Sequence, residues 1–409
     1  FEIASAALRK TTEHLARELV RPGDSAPRWS ELEWSIARCA AAMHGISVLL
    51  ANRLRWSGPP LWQGFLAVQR EQSLLRHARI GELLERIDSA TRARGVSCIG
   101  LKGAALRDLD LYAPGERPMG DVDLLVAARD LPAVVAAIAD IGYVGAYASQ
   151  RHTVYEPPHQ ASPRGFGEHV DNALKIEIHT AVAEELPVDN VDITERLQSG
   201  HARPGLNHYP DRVSLLLHLL LHTAGNIRDR SVRRIQLHDI AAVSQLLGPG
   251  DWGVLLAKLR DTHELWWMLP PLELTVRYGP ASIPPEVLRA ARAACPRVLR
   301  LATERQALTD VSWSNMRITA FPGIAWSRTP LDALRYVRSR VLPSRRALAE
   351  IESGRQAQPH LEQVPWYGLS HGHRILRWLF FRPPRVHTII SLRAALGDER
   401  DPGLHGSPR

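Results

Sequence analysis

The chain has little lysine and little cysteine. Only Lys10, Lys102, Lys175 and Lys258 stand among its 51 basic residues, and arginine supplies the rest. Cys39, Cys98 and Cys295 lie far apart and form no CxxC pair. That excludes a disulfide framework and a cysteine-built zinc site, and each cysteine is expected to be a small core residue in a reducing compartment. No apolar run reaches the roughly 18 residues of a membrane span, so no membrane partner is expected and the chain reads as cytoplasmic. The first residue is Phe rather than Met, which reads as a processed or trimmed chain, and the charged opening segment does not resemble a secretory signal. Acidic residues are in deficit: net charge is +8 and the isoelectric point is about 9.7. The arginines are scattered, with no basic stripe and no interleaved aromatics, so general solvation accounts for them better than a nucleic-acid groove. The balance is compatible with binding polyphosphates.

What is present is ordinary for a globular protein. The chain has 409 residues, 45% of them hydrophobic and 23% charged. At about 150 residues per folding unit this predicts two or three units, and the core is large enough to hold without staples. Residues 1–94 read as helical. Ser30-Glu31-Leu32-Glu33 has the form of a capping box, and Leu32, Ile36, Cys39, Ala40 and Met43 follow at helical spacing. Pro59-Pro60 is expected to end that element, with a second helix over 62–94 stopped by Gly95. Residues 95–185 change character. Short apolar strands are expected over 96–101, 122–126 and 143–147, with a helix over 131–141. In 174–179, Leu174, Ile176 and Ile178 alternate with Lys175, Glu177 and His179, a strand with one polar face. Residues 186–409 return to helices, strongest over 213–221 and 235–247. The stretch 352–363 reads as a polar loop, and the Arg-rich 373–396, interrupted by Pro383-Pro384, as a buried or surface element.

The chemistry concentrates in Leu101-Lys102-Gly103-Ala104 and Arg117-Pro118-Met119-Gly120-Asp121-Val122-Asp123. A strand runs into glycine and a helix start, where backbone can approach phosphate. An Asp-x-Asp then opens an apolar strand, so Asp121 and Asp123 point the same way. Two adjacent carboxylates repel unless a cation sits between them, and hard oxygen ligands suit Mg²⁺. A lone DxD is common as a solvated acid pair, but the order strand, Gly, helix, Arg, DxD, strand and later acid is more specific. If the 174–179 strand lies beside the DxD strand, Glu177 completes a three-carboxylate site. Lys102 stands where a triphosphate would lie, and Arg117 could neutralise phosphate charge. His218 and His222, four apart on a helix, lack the glutamate of a metalloprotease motif and read as core or interdomain histidines.

This arrangement resembles the polymerase-beta-like nucleotidyltransferase superfamily, and more narrowly a bacterial nucleotidyltransferase family. The family motifs are the Leu-Lys-Gly helix start, the Arg before the acids, Asp-x-Asp-Leu-Leu-Val, the later acid-x-His strand (Glu177-Ile178-His179) and a helical His/Asp segment (His218 to His222, then Leu237-His238-Asp239). The resemblance implies an α+β fold: a small mixed-sheet core flanked by helical N-terminal and C-terminal regions. It implies transfer of a nucleoside monophosphate from a nucleoside triphosphate, ATP first, to a hydroxyl, with Mg²⁺ (or Mn²⁺) on Asp121, Asp123 and Glu177. Lys102, Gly103, Ala104, Arg117, His222 and Asp239 would then line the nucleotide site. The acceptor could be a small molecule, a peptide or an RNA end, and a role in natural-product or peptide modification is implied by resemblance alone. Phosphoryl transfer at the same metal site and a non-catalytic nucleotide-binding regulator are the alternatives. Two departures stand out. Gly103-Ala104 lacks the serine hydroxyl of the wider superfamily, and Glu177 stands where Asp is more usual.

Overall fold

In the computed structural model, which describes residues 1–149, 152–158, 167–187, 189–200, 202–279, 283–345, 347–349, 351 and 368–397, helices from both ends of the chain enclose a six-stranded mixed sheet. This is the expected α+β architecture. The N-terminal helices are α1 (Glu2–Glu18), α2 (Glu31–Met43), α3 (Ser47–Arg53) and α4 (Pro60–Ala93). The capping box forms: Ser30 Oγ accepts the Glu33 N–H at 3.3 Å, and the Glu33 carboxylate accepts the Ser30 N–H at 2.9 Å. A cap of this kind contributes roughly 1 kcal/mol. Ile36, Cys39, Ala40 and Met43 are buried, whereas Leu32, in the first turn, is exposed. Pro59-Pro60 does not end this element. α2 stops at Met43, and Pro60 instead opens α4, where a missing N–H costs nothing. Gly95, at φ +66°, follows the end of α4 as expected.

The sheet is built from β1 (Ser97–Gly100), β2 (Asp121–Leu125), β3 (Val144–Ala148), β4 (His152–Glu156), β5 (Lys175–His179) and β8 (Gly205–Asn207), in the order β3-β4-β5-β2-β1-β8. Helix α5 (Gly103–Asp108) follows β1, and α6 (Leu131–Asp140) follows β2. A separate hairpin, β6 (Ala183–Leu186) with β7 (Asp189–Asp192), precedes the short α7 (Thr194–Gln198). Strand β8 comes from beyond residue 185 and pairs parallel with β1. One face of the sheet is dry. Val122, Leu124, Ile176, Ile178 and Tyr155 pack with Ile80, Leu83 and Ile87 of α4 and Val134 and Ile138 of α6. The other face is shared. Ile99, Leu101 and Leu125 meet the apolar core of the C-terminal helices, and the polar side chains of β2, β5 and β4 lie beside them.

Those helices begin with α8 (Arg212–Asp229) and α9 (Arg234–Ser244), followed by α10 (Pro249–Asp261), α11 (Leu269–Tyr278), α12 (Pro285–Ala294), α13 (Arg297–Arg305) and α14 (Pro330–Val341). Pro383-Pro384 separates α15 (His371–Phe380) from α16 (Val386–Ala395), and the loop expected over 352–363 lies outside the described residues. Buried His44, just after α2, ties the two helical regions together. Its Nδ1 accepts the Arg234 N–H at 3.0 Å, and its Nε2 meets Ser314 Oγ at 2.9 Å. All three cysteines are buried free thiols. Among the described residues no single helix is long and apolar enough to cross a membrane.

Candidate active site

Strand β1 leaves the sheet through Leu101 into Lys102, whose φ of 47° and ψ of −109° are rare for a residue with a side chain. Such a conformation costs on the order of 1–3 kcal/mol and persists only where the surroundings enforce it. Here the Lys102 N–H donates to Tyr209 Oη at 3.1 Å, and that phenol in turn bonds His218 Nδ1 at 2.6 Å. Burial, then the Lys102 charge, holds the His218 pKa well below its ordinary value, so the imidazole stays neutral. The turn sends Lys102 Nζ onto Asp123 Oδ1 at 2.9 Å. Gly103 follows because space is short: a Cβ there would stand 2.6 Å from Arg117 Nη1 and 3.0 Å from Met119. Ala104 buries its methyl in the core on the dry face.

The acids are brought together by register. β2 runs parallel to β5, with Asp121 opposite Lys175, Asp123 opposite Glu177 and Leu125 opposite His179. Side chains opposite one another share a face, so Asp121, Asp123, Glu177 and His179 project from the same side. His179 Nε2 lies 2.9 Å from Asp123 Oδ1 and 3.8 Å from Glu177 Oε2. On the next strand, His152 Nε2 lies 3.7 Å from the same Glu177 oxygen. Neither β4 nor this histidine was anticipated. The alternation His152-Thr153-Val154-Tyr155-Glu156 was the available signal.

The charges do not balance locally. Burial, then Asp121 and Asp123, pushes the Glu177 carboxyl up to about 8. Burial and the neighbouring Asp123 likewise raise Asp121. For Asp123 burial also acts upward, but Lys102 and His179 outweigh it and hold that carboxyl far below the usual range. Among the described residues, these three crowded carboxylates thus share one permanent cation at bonding distance, Lys102. Oxygen donors on one face with surplus negative charge fit a hard divalent cation.

Arg117 and Asp239 form a closed unit beside the acids. Arg117 Nε and Nη2 donate to the two Asp239 oxygens at 2.9 and 2.8 Å, and Tyr112 Oη donates to Asp239 Oδ1 at 2.6 Å. Asp239 is fully buried, and its carboxylate raises the Arg117 pKa against the opposing effect of burial. Both residues expected to line the nucleotide site therefore satisfy each other here, and the pair fastens α9 to the segment before β2. His222, one turn beyond His218, meets Glu184 at 3.9 Å and Asn226 at 3.1 Å. Arg233 was not anticipated. Its Nε donates to the Met43 carbonyl at 3.0 Å, and its charge favours ionisation of Asp121.

No curated protein and no solved structure matches the chain. A sequence model of the family described as uncharacterised nucleotidyltransferase matches residues 30–269, more than half of the chain, and this span contains α2 to α10, the whole sheet and every acid named above. The chain therefore belongs to that nucleotidyltransferase family and is a transferase of the nucleotidyltransferase type.

Proposed function

We propose that the protein moves a nucleoside monophosphate from a nucleoside triphosphate, ATP first, onto a hydroxyl of its acceptor, with Mg²⁺ or Mn²⁺ held by Asp121, Asp123 and Glu177. The observation that supports this reading is the β2–β5 register, which sets a third carboxylate opposite Asp123. Bound there, a divalent cation would supply positive charge to the triphosphate and its leaving group. Lys102 supplies a fixed ammonium at the edge of the acids, available to phosphate oxygens. Glu177 would draw the proton of the acceptor hydroxyl. His179, on Asp123, orients that carboxylate. Gly103 and Ala104 offer only backbone to a nucleotide, since the one lacks room for a side chain and the other is buried. Free buried cysteines fit a reducing, cytoplasmic setting.

The acceptor class stays within hydroxyls of small molecules, peptides or RNA ends. Labelled ATP tests the reaction class. With an acceptor present, α-phosphate label enters the product and pyrophosphate is released. Transfer of γ-phosphate label alone would make the protein a phosphotransferase.

A further inference from the structure

The open side of the sheet carries donors one strand beyond the acids. β4 pairs with β5 so that His152 stands opposite His179, and Val154 opposite Glu177. The Nε2 atoms of His152 and His179 lie 3.7 and 3.8 Å from one Glu177 oxygen, and the ligand atoms of all three residues fall within 4.8 Å of one another. All three side chains are partly exposed, so an ion can enter from solvent. Two imidazoles and a carboxylate are a different donor set from the acids beside them. Mg²⁺ favours oxygen ligands and water, whereas imidazole suits Zn²⁺ and similar first-row ions. With metal–ligand bonds of about 2.0–2.1 Å, tetrahedral ligand atoms stand roughly 3.3–3.4 Å apart. The two histidine–Glu177 separations would need to contract by only a few tenths of an ångström, and the pair of histidine nitrogens, within 4.8 Å, by up to about 1.4 Å. Behind His152, Ser149 Oγ lies 3.5 Å from Nδ1, on the side from which a hydrogen bond fixes a ligating tautomer. His179 would release its hydrogen bond to Asp123, which keeps Lys102 at 2.9 Å.

We propose that His152, His179 and Glu177 form a second cation site, selective for Zn²⁺ or an ion of like preference, with water completing the shell. It shares Glu177 with the carboxylate site proposed above but does not depend on nucleotidyl transfer. Equilibrium dialysis of the full chain against Zn²⁺ in excess Mg²⁺, without nucleotide, tests it, with Co²⁺ absorption reporting nitrogen ligation. The expected result is one Zn²⁺ retained per chain. His152→Gln and His179→Asn should each weaken retention by more than the roughly 10–100-fold that loss of a group behind a ligand costs. Asp121→Asn should retain Zn²⁺ while losing Mg²⁺-dependent ATP binding, so a failure of the carboxylate reading is seen separately. Mg²⁺–ATP binding and circular dichroism of His152→Gln report its fold. No Zn²⁺ retained by the wild-type chain, or equal retention by wild type and a folded His152→Gln, would overturn the proposal.

Discussion

Two charged clusters stand side by side in this molecule, and they are built on opposite principles. The Arg117–Asp239–Tyr112 unit is closed: a two-pronged guanidinium–carboxylate pair with a phenol on the same oxygen, and a fully buried aspartate. The Asp121–Asp123–Glu177 unit is open: three carboxylates around Lys102, with Glu177 driven up to about 8 by burial and by the other two. Buried charge that is locally balanced holds elements together. Buried charge left in surplus marks where a ligand is expected.

The contrast can be broken most severely on the closed side. Asp239→Asn leaves Arg117 buried without its countercharge and should destabilise the fold by about 3–5 kcal/mol. Thermal or urea unfolding measures this, and a loss under about 1 kcal/mol would show that the pair does not fasten α9. On the open side, stability should fall less, because removing one carboxylate also relieves its repulsion with the other two, and activity should collapse. Asp123→Asn and Glu177→Gln should each lower turnover roughly 10²–10³-fold or more, the scale of losing one transition-state contact. For Glu177→Gln, nucleotide affinity should change less than turnover. Steady-state kinetics beside melting curves separates the two clusters, and an unfolded Asp123→Asn would erase the distinction.

Gly103 joins the clusters, since its missing side chain admits Arg117 and Met119. Gly103→Ala should cost about 1–3 kcal/mol through overpacking, read by denaturant midpoint. A neutral result would mean that Arg117 has room to move. The smallest effect concerns His44, another balanced buried group. Burial, then Arg233 and Arg234, lowers its pKa from 6.5 to about 3. Below pH 6.5 the unfolded chain takes a proton that the folded chain refuses, so stability falls as pH falls through this window. The slope approaches 1.4 kcal/mol per pH unit. His44→Asn should flatten that part of the pH–stability curve, and an unchanged slope would assign the acid sensitivity elsewhere.

Much of this was legible in the sequence, because the readable elements are long or strictly periodic. The capping box, α4, the DxD strand and the alternating Lys175–His179 strand all follow from local pattern. Their adjacency does not, since β2 and β5 pair across more than fifty residues and only the register sets Glu177 opposite Asp123. Strand β8 and the β6–β7 hairpin have too few residues to show a period, and the alternation in β4 lacks the run of alternate apolar residues that marks β5. The pairing of Arg117 with Asp239 was illegible for another reason. An arginine before a DxD looks the same whether it faces phosphate or a buried aspartate from α9, 122 residues away.

The central claim is that the three carboxylates of the open cluster bind nucleotide through a divalent cation. Calorimetric titration of a non-hydrolysable ATP analogue into the wild-type chain, with Mg²⁺ and again in EDTA, addresses it most directly. Tight binding that requires Mg²⁺, and that disappears in a folded Asp123→Asn, is the predicted result. Equally tight binding in EDTA, or undiminished Mg²⁺-dependent binding by Asp123→Asn, would contradict it.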